Sequence, residues 1–96
     1  MKKYQVIGGQ YVYDWKGESD TIRGAQIIAR KNEEYWDNWK GWHVPAIYLK
    51  EDVEEITLKN DQIVYRAGTK LRVPKEGANP YIVFNKYKNK WEEVII

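Results

Sequence analysis

A change of hydrophobic period near Thr21 constrains the fold of this chain more than any other feature. Before residue 20 and after residue 39, the distribution of apolar residues is typical of short strands. Between these positions it is typical of a helix. Here, mostly apolar residues recur every three or four positions, as on one face of an amphipathic helix. That face is formed by Ile22, Ala25, Ala29, Asn32, Trp36 and Trp39. We predict one helix over roughly residues 20–39, with any break near Asn32. Asp20 or Ser19 is its expected N-cap, and Gly41 its expected C-terminal glycine.

Strand patterns flank the predicted helix. Residues 3–13 are rich in Val, Ile and Tyr, and Gly8 and Gly9 interrupt them as a bulge or a close backbone approach would. The next stretch, DWKGESD, reads as a loop. Later strands are predicted in WHVPAIY, on both sides of a turn at Asn60–Asp61, in KLRVP, and on both sides of a turn near Lys88–Asn89. This order predicts a single α+β domain over residues 1–96, in which one antiparallel sheet of about five strands carries one long helix on one face.

The composition excludes several classes of protein. The 96 residues contain no cysteine, which excludes disulfides, thiolate metal sites and a cysteine nucleophile. No stretch approaches the ~20 apolar residues of a membrane span, and the N-terminal residues lack the apolar run of a signal peptide. We therefore expect a cytoplasmic protein that has no membrane partner.

Catalytic and metal-binding patterns are weak. Ser19 is the only serine and stands in a helix-capping context, outside the glycine-flanked elbow of hydrolases. His43 is the only histidine, and no nucleophile is placed beside it. The acidic residues do not follow the spacing of a calcium loop. We expect no enzymatic activity, metal or cofactor, and a hydrolase centred on His43 is the least favoured alternative.

Aromatic residues concentrate in EYWDNWKGWH, residues 34–43, which holds one tyrosine, three of the five tryptophans and the only histidine. Trp36 and Trp39 continue the helix face, so we expect both in the core. The other members lie on the next stripe or beyond the helix end, where they form either a binding surface or the edge of the core. Interfaces concentrate binding energy in Trp, Tyr and Arg. The candidate binding residues are Trp15, Tyr35, Asn38, Trp42, His43 and Arg66.

Charge is unevenly distributed along the chain. Residues 59–90 hold eight basic and two acidic residues, whereas residues 14–55 hold ten acidic and six basic ones. Four aromatic residues are interleaved with the C-terminal bases: Tyr81, Phe84, Tyr87 and Trp91. Bases stack on aromatic rings while lysines hold phosphates. A module that binds nucleic acid or nucleotides through a basic aromatic sheet face is therefore the alternative function, although neither face is cleanly basic and aromatic.

The segment TIRGAQIIARKN and the following EYWDNWKGWHVPAIYLKEDVEE, within residues 21–55, resemble small uncharacterised accessory proteins of phages and prophages of Gram-positive bacteria. The resemblance assigns no role to particular residues. It implies a role in binding, such as blocking a host protein or sequestering a signal molecule, and this class includes anti-defence proteins such as CRISPR inhibitors. We predict a non-enzymatic binding protein whose partner is a host protein and whose location is the host-cell cytoplasm.

Overall fold

The computed structural model describes residues 3–8, 13–35, 42–62 and 65–94, without the side chains of Tyr35 and Trp42. Nine strands, one α-helix and a single 3₁₀ turn follow one another in these segments. They are β1 (Tyr4–Gly8), β2 (Asp14–Ser19), α1 (Ile22–Lys31), β3 (Glu34–Tyr35), β4 (Trp42–His43), β5 (Ala46–Leu49), the 3₁₀ turn (Lys50–Asp52), β6 (Val53–Thr57), β7 (Lys70–Pro74), β8 (Ile82–Asn85) and β9 (Lys90–Glu93).

Five strands form one antiparallel sheet in the order β2–β1–β5–β8–β9. Helix α1 packs on one face of this sheet, against β1, β2 and β5. The pairs β3–β4 and β6–β7 form two separate antiparallel ladders. The predicted class is therefore confirmed: the protein is an α+β domain with a five-stranded antiparallel sheet and a helix on one face.

The core lies between α1 and the middle of the sheet. Val6 of β1 and Ile47 of β5 are fully buried, as are Ala25 and Ala29 of α1. Because alanine side chains are short, the helix backbone lies close to the sheet, and Ile22 packs against the same cluster. Burying a Val or Ile side chain contributes roughly 1.5 to 3 kcal/mol. The predicted helix face is thus confirmed at Ile22, Ala25 and Ala29.

The start of the helix differs from the prediction. Thr21 is the N-cap, and its Oγ1 accepts a hydrogen bond from the Gly24 N–H at 3.0 Å. Ser19 belongs to β2, and its Oγ accepts a hydrogen bond from the Thr21 N–H at 3.2 Å. A Cβ at Gly24 would lie 2.1 Å from that Oγ, which explains a glycine in the first turn. The prediction of Asp20 or Ser19 as the cap is therefore wrong.

The helix also ends well before residue 39, so its predicted length is wrong. Lys31 is its last residue, and the side-chain Nδ2 of Asn32 donates to the Ile28 carbonyl at 2.8 Å. An asparagine side chain that bonds to the backbone competes with helix continuation, and the helix stops where a break was expected. Three residues placed on or after the predicted helix lie outside the described residues: Trp36, Trp39 and Gly41. Within the described part of the chain, no helix is long and apolar enough to cross a membrane.

Residues 14–19, predicted as a loop, form the edge strand β2. Its register with β1 shifts between Val6 and Ile7, which leaves Lys16 without a partner residue. This is a β-bulge, and it removes the alternation by which a strand is recognised in a sequence. Gly8 is not part of the bulge. It lies close to Pro45, just before β5, which agrees with the predicted close approach.

The two C-terminal strand pairs differ in how well they were predicted. The prediction of a tight turn at Asn60–Asp61 is wrong, because β6 pairs with β7 across a longer connection. In this connection the Asp61 carboxylate accepts a hydrogen bond from the Ala67 N–H at 2.8 Å. The turn near Lys88–Asn89 is confirmed: it joins β8 to β9, and Asn89 adopts a φ of 54°, which asparagine tolerates well.

Candidate functional site

The bulge in β2 brings two side chains to one face of the sheet. Trp15 pairs with Ile7 and Glu18 pairs with Gln5, so both lie on the face opposite the helix. In a regular strand, residues three apart point to opposite faces. The bulged residue Lys16 lies between Trp15 and Glu18 and brings both side chains to the same face. The neighbouring Gly17 adopts a φ of +157°, which residues with a side chain rarely adopt.

A buried amide connects these two side chains. Gln5 is 2% exposed. Its Oε1 accepts a hydrogen bond from the Trp15 Nε1 at 2.9 Å, and its Nε2 donates to the Glu18 carboxylate at 2.9 Å. Leaving such a group buried without partners would cost about 1 to 3 kcal/mol. Gln5 therefore fixes the position of the Trp15 ring from below.

Arg72 of β7 completes the network from the other ladder. Its Nη1 lies 3.0 Å from the Glu18 Oε2 and 3.3 Å from the Gln5 Oε1. Its guanidinium carbon lies 4.5 Å from the centre of the Trp15 ring, within the range of a cation–π contact. The hydrogen bond from Gln5 and the charge of Arg72 lower the pKa of Glu18 below its ordinary value, against an opposing effect of burial. Glu18 is thus held as a carboxylate beside the stacked pair.

An open cleft of about 390 Å³ lies beside this network, between the β6–β7 ladder and the sheet. Trp15 is 36% exposed and donates a hydrogen bond to Gln5, which lines this cleft. We call this surface the Trp15–Arg72 cleft. Its walls are formed by Gln5, Glu18, Lys50, Val53, Glu54, Glu55 and Arg72. The charges on these walls are mixed, with three carboxylates and two cations.

A second charged cluster joins β2 to its neighbours. Lys16 contacts Asp14 at 2.7 Å and also forms an ion pair with Glu34 of β3. Tyr65, in the β6–β7 connection, donates a hydrogen bond from its Oη to Asp14 at 2.7 Å. Burial raises the pKa of Asp14. The hydrogen bonds from Lys16 and Tyr65, together with the Lys16 charge, outweigh this effect and bring the pKa below its ordinary value. The cluster anchors β3 and the connection to the edge strand.

His43 lies in the short β3–β4 ladder, where it pairs with Glu34, and Tyr35 pairs with Trp42. Burial lowers the pKa of His43 below its ordinary value, although the nearby Glu34 acts in the opposite direction. The imidazole is therefore mainly neutral at pH 7. Among the described residues, no group of three His, Cys, Asp or Glu side chains could hold a metal ion.

The structure places the predicted binding residues on different elements. Trp15 joins the cleft network, while Arg66 is exposed in the β6–β7 connection and Asn38 lies outside the described residues. Sequence reasoning missed the network around Trp15, in which Gln5 and Arg72 contact the indole and Glu18 binds both of them. The only available signal was Gln5, a polar residue within the apolar strand pattern YQVIG.

The basic residues of the C-terminal part do not share one sheet. Lys70 and Arg72 belong to β7 of the β6–β7 ladder, whereas β8 and β9 belong to the five-stranded sheet. Lys86 and Lys88 lie in the turn between those two strands, and Lys90 begins β9. Within the described residues, the basic surface is therefore divided between two ladders.

Comparison of the chain with protein-family models, with curated proteins and with solved structures finds no match. The resemblance of residues 21–55 to phage accessory proteins therefore stays a prediction from the sequence. The geometry of the surface is accordingly the basis for a functional proposal.

Proposed function

We propose that this protein is a non-enzymatic binding protein that inhibits or sequesters a host factor, and that a host protein docks on the Trp15–Arg72 cleft. One observation carries the proposal: an exposed indole and a guanidinium are stacked 4.5 Å apart at the surface. Tryptophan and arginine are the residues in which interfaces concentrate their binding energy.

The stacked pair is held in place before any partner arrives. Trp15 is bonded to Gln5, and Arg72 is bonded to Glu18 and Gln5. Side chains that are already ordered lose little conformational entropy on binding, which increases affinity. A fixed aromatic anchor beside an open cleft is the arrangement expected of an interface hot spot.

The charges around the cleft favour a protein over a nucleic acid. Glu54 and Glu55 are exposed at its wall and would repel a phosphate backbone, whereas Lys50 and Arg72 provide positive charge nearby. Interleaved charges of both signs match the polar rim of a protein interface.

The resemblance to phage accessory proteins supports the class of role. Occupying a functional surface of a host protein requires binding and no chemistry, and anti-defence proteins such as CRISPR inhibitors act in this way. The proposed location is accordingly the host-cell cytoplasm.

The proposal is tested with tagged protein in a nuclease-treated lysate of a Gram-positive bacterium. Glu55→Lys reverses an exposed charge at the cleft, and Trp15→Ala removes the anchor; both are expected to lose a partner that the wild type retains. Tyr81→Ala removes an aromatic of similar exposure (38%) and is expected to retain it. Melting temperatures establish that each variant is folded.

Two outcomes would overturn the proposal. Retention of the partner by both folded cleft variants would place the interface elsewhere. Capture of the partner from a parallel untreated lysate, but not from the nuclease-treated one, would show that nucleic acid, and not a protein surface, mediates the contact.

A further inference from the structure

The five-stranded sheet is split between β5 and β8. These strands share one residue pair, Ile47 with Ile82, and the Tyr81 N–H donates to the Ile47 carbonyl at 2.8 Å. If the ladder continued, Pro45 would face Phe84, but proline has no N–H to donate. Beyond Ile82, β8 therefore pairs with no described strand except β9, and β5 does not continue along its other side.

A cleft of about 400 Å³ occupies this split, and we call it the split-sheet cleft. Small-ligand sites typically measure about 300 to 1,000 Å³ and combine apolar walls with a few polar groups. Here the apolar wall consists of Val44, Val83 and Phe84. The polar and aromatic lining consists of His43, Asn85, Lys86, Tyr87 and Glu92. None of these residues lines the Trp15–Arg72 cleft.

An exposed aromatic ring stands at the end of this cleft. Tyr87 is 90% exposed, so its ring contributes little to the core. Two hydrogen bonds stabilise the turn that carries it: the Asn85 Oδ1 accepts from the Tyr87 N–H at 3.0 Å and from the Lys88 N–H at 3.1 Å. This turn therefore presents an exposed, flat ring at the cleft.

A lysine ammonium lies over the same ring. The Lys86 Nζ lies 5.5 Å from the centre of the Tyr87 ring, and Lys88 and Lys90 follow in the chain. Glu92 is the one carboxylate among the described lining residues. Its oxygens already accept from the Asn85 Nδ2 at 3.1 Å and face the Lys88 Nζ at 3.4 Å. The cleft thus combines an apolar wall, a flat ring and one lysine ammonium.

We propose that the split-sheet cleft binds a nucleotide. A planar base matches the apolar wall and the face of Tyr87, because every base stacks on an aromatic ring. The phosphate matches Lys86, whose ammonium stands beside that ring. The same chemistry is offered by a free nucleotide and by one nucleotide of a single strand.

Titration monitored by backbone amide NMR signals tests this inference. The probes are AMP, CMP, GMP and UMP, a ten-residue oligothymidylate, and adenosine and inorganic phosphate as the separate parts. We expect at least one nucleotide to shift the signals of residues 83–87 and to bind more tightly than either part. Tighter binding of the oligothymidylate identifies a single strand as the ligand, and tighter binding of a mononucleotide identifies the free form.

Variants assign the binding to the cleft. Tyr87→Ala and Lys86→Ala are each expected to weaken nucleotide binding about tenfold, the effect of losing one stacking or phosphate contact. Tyr81→Ala and Lys75→Ala are matched controls outside the cleft and are expected to leave it unchanged. Absence of nucleotide binding, equal binding of inorganic phosphate alone, or equal loss in the control variants would overturn the inference.

Discussion

Gly17 illustrates how one residue can determine a binding surface. Its φ of +157° lies in a region that is almost restricted to glycine, and a Cβ there would lie 3.0 Å from the Ile28 Cγ2. Because Gly17 follows the bulged Lys16, the same position sets the angle between Trp15 and Glu18. The backbone at Gly17 thus determines whether both side chains reach Gln5.

Gly17→Ala is expected to lower the free energy of unfolding by about 1 to 3 kcal/mol, since it adds steric contact to backbone strain. Gly77→Ala is the matched control: Gly77 has a φ of +80°, and no atom lies within 4 Å of its added Cβ. It should show only the backbone cost, about 1 kcal/mol. Urea denaturation of both variants measures the difference. Equal losses would mean that Ile28 moves aside without cost.

At the scale of single residues, the sequence indicated Trp15 but not its surroundings. A tryptophan in a polar stretch is recognisable as a candidate for a surface. The other members of its network, Gln5, Glu18 and Arg72, are separated from one another by up to 67 residues, and sequence spacing carries no information about such contacts. Gln5 was recognisable as a polar residue within an apolar strand pattern, but the sequence did not indicate what it binds.

At the scale of elements, the cluster of Lys16, Asp14, Glu34 and Tyr65 is expected to make the stability of the protein depend on pH. The pKa of Asp14 is lower in the folded protein than its ordinary value of 3.8, because Lys16 and Tyr65 stabilise the carboxylate more than burial destabilises it. A depressed pKa means that the contribution to stability is present above 3.8 and is lost as the pH falls through the folded value.

Asp14→Asn should therefore destabilise the protein at neutral pH and have a smaller effect under acid conditions. Urea denaturation of wild type and variant between pH 7 and pH 3 measures this convergence. Glu76→Gln, which alters an exposed loop carboxylate, is the control and should give a nearly constant difference. A stability gap for Asp14→Asn that stays constant down to pH 3 would contradict the assignment.

Element boundaries were predictable only where one physical signal dominated. The face formed by Ile22, Ala25 and Ala29 was correct because helical periodicity and burial coincide there. The same spacing continues by chance beyond Asn32, whose side chain bonds to the helix backbone and ends the helix. Strand β2 was missed because its bulge cancels alternation. The burial of Trp36 and Trp39 stays a prediction.

At the scale of the whole molecule, Arg72 joins the β6–β7 ladder to the five-stranded sheet. It connects β7 to β1 and β2, and β7 is distant from both in the sequence. Contacts between distant segments tend to form late, so their loss accelerates unfolding more than it slows folding. Arg72→Ala should therefore unfold several-fold faster and refold at nearly the wild-type rate in stopped-flow experiments. Lys70→Ala, on the same strand, is the control; slower refolding of Arg72→Ala alone would place this contact in the folding nucleus.

The bond between Arg72 and Glu18 spans 54 residues, and this separation has a consequence during protein synthesis. At about 5 to 20 residues per second, Trp15 leaves the ribosome several seconds before Arg72 does. A nascent chain, or one truncated before β7, carries the indole without the guanidinium that covers it. The Trp15–Arg72 cleft therefore forms only after β7 has been synthesised, and a partner that recognises it does not bind shorter nascent chains.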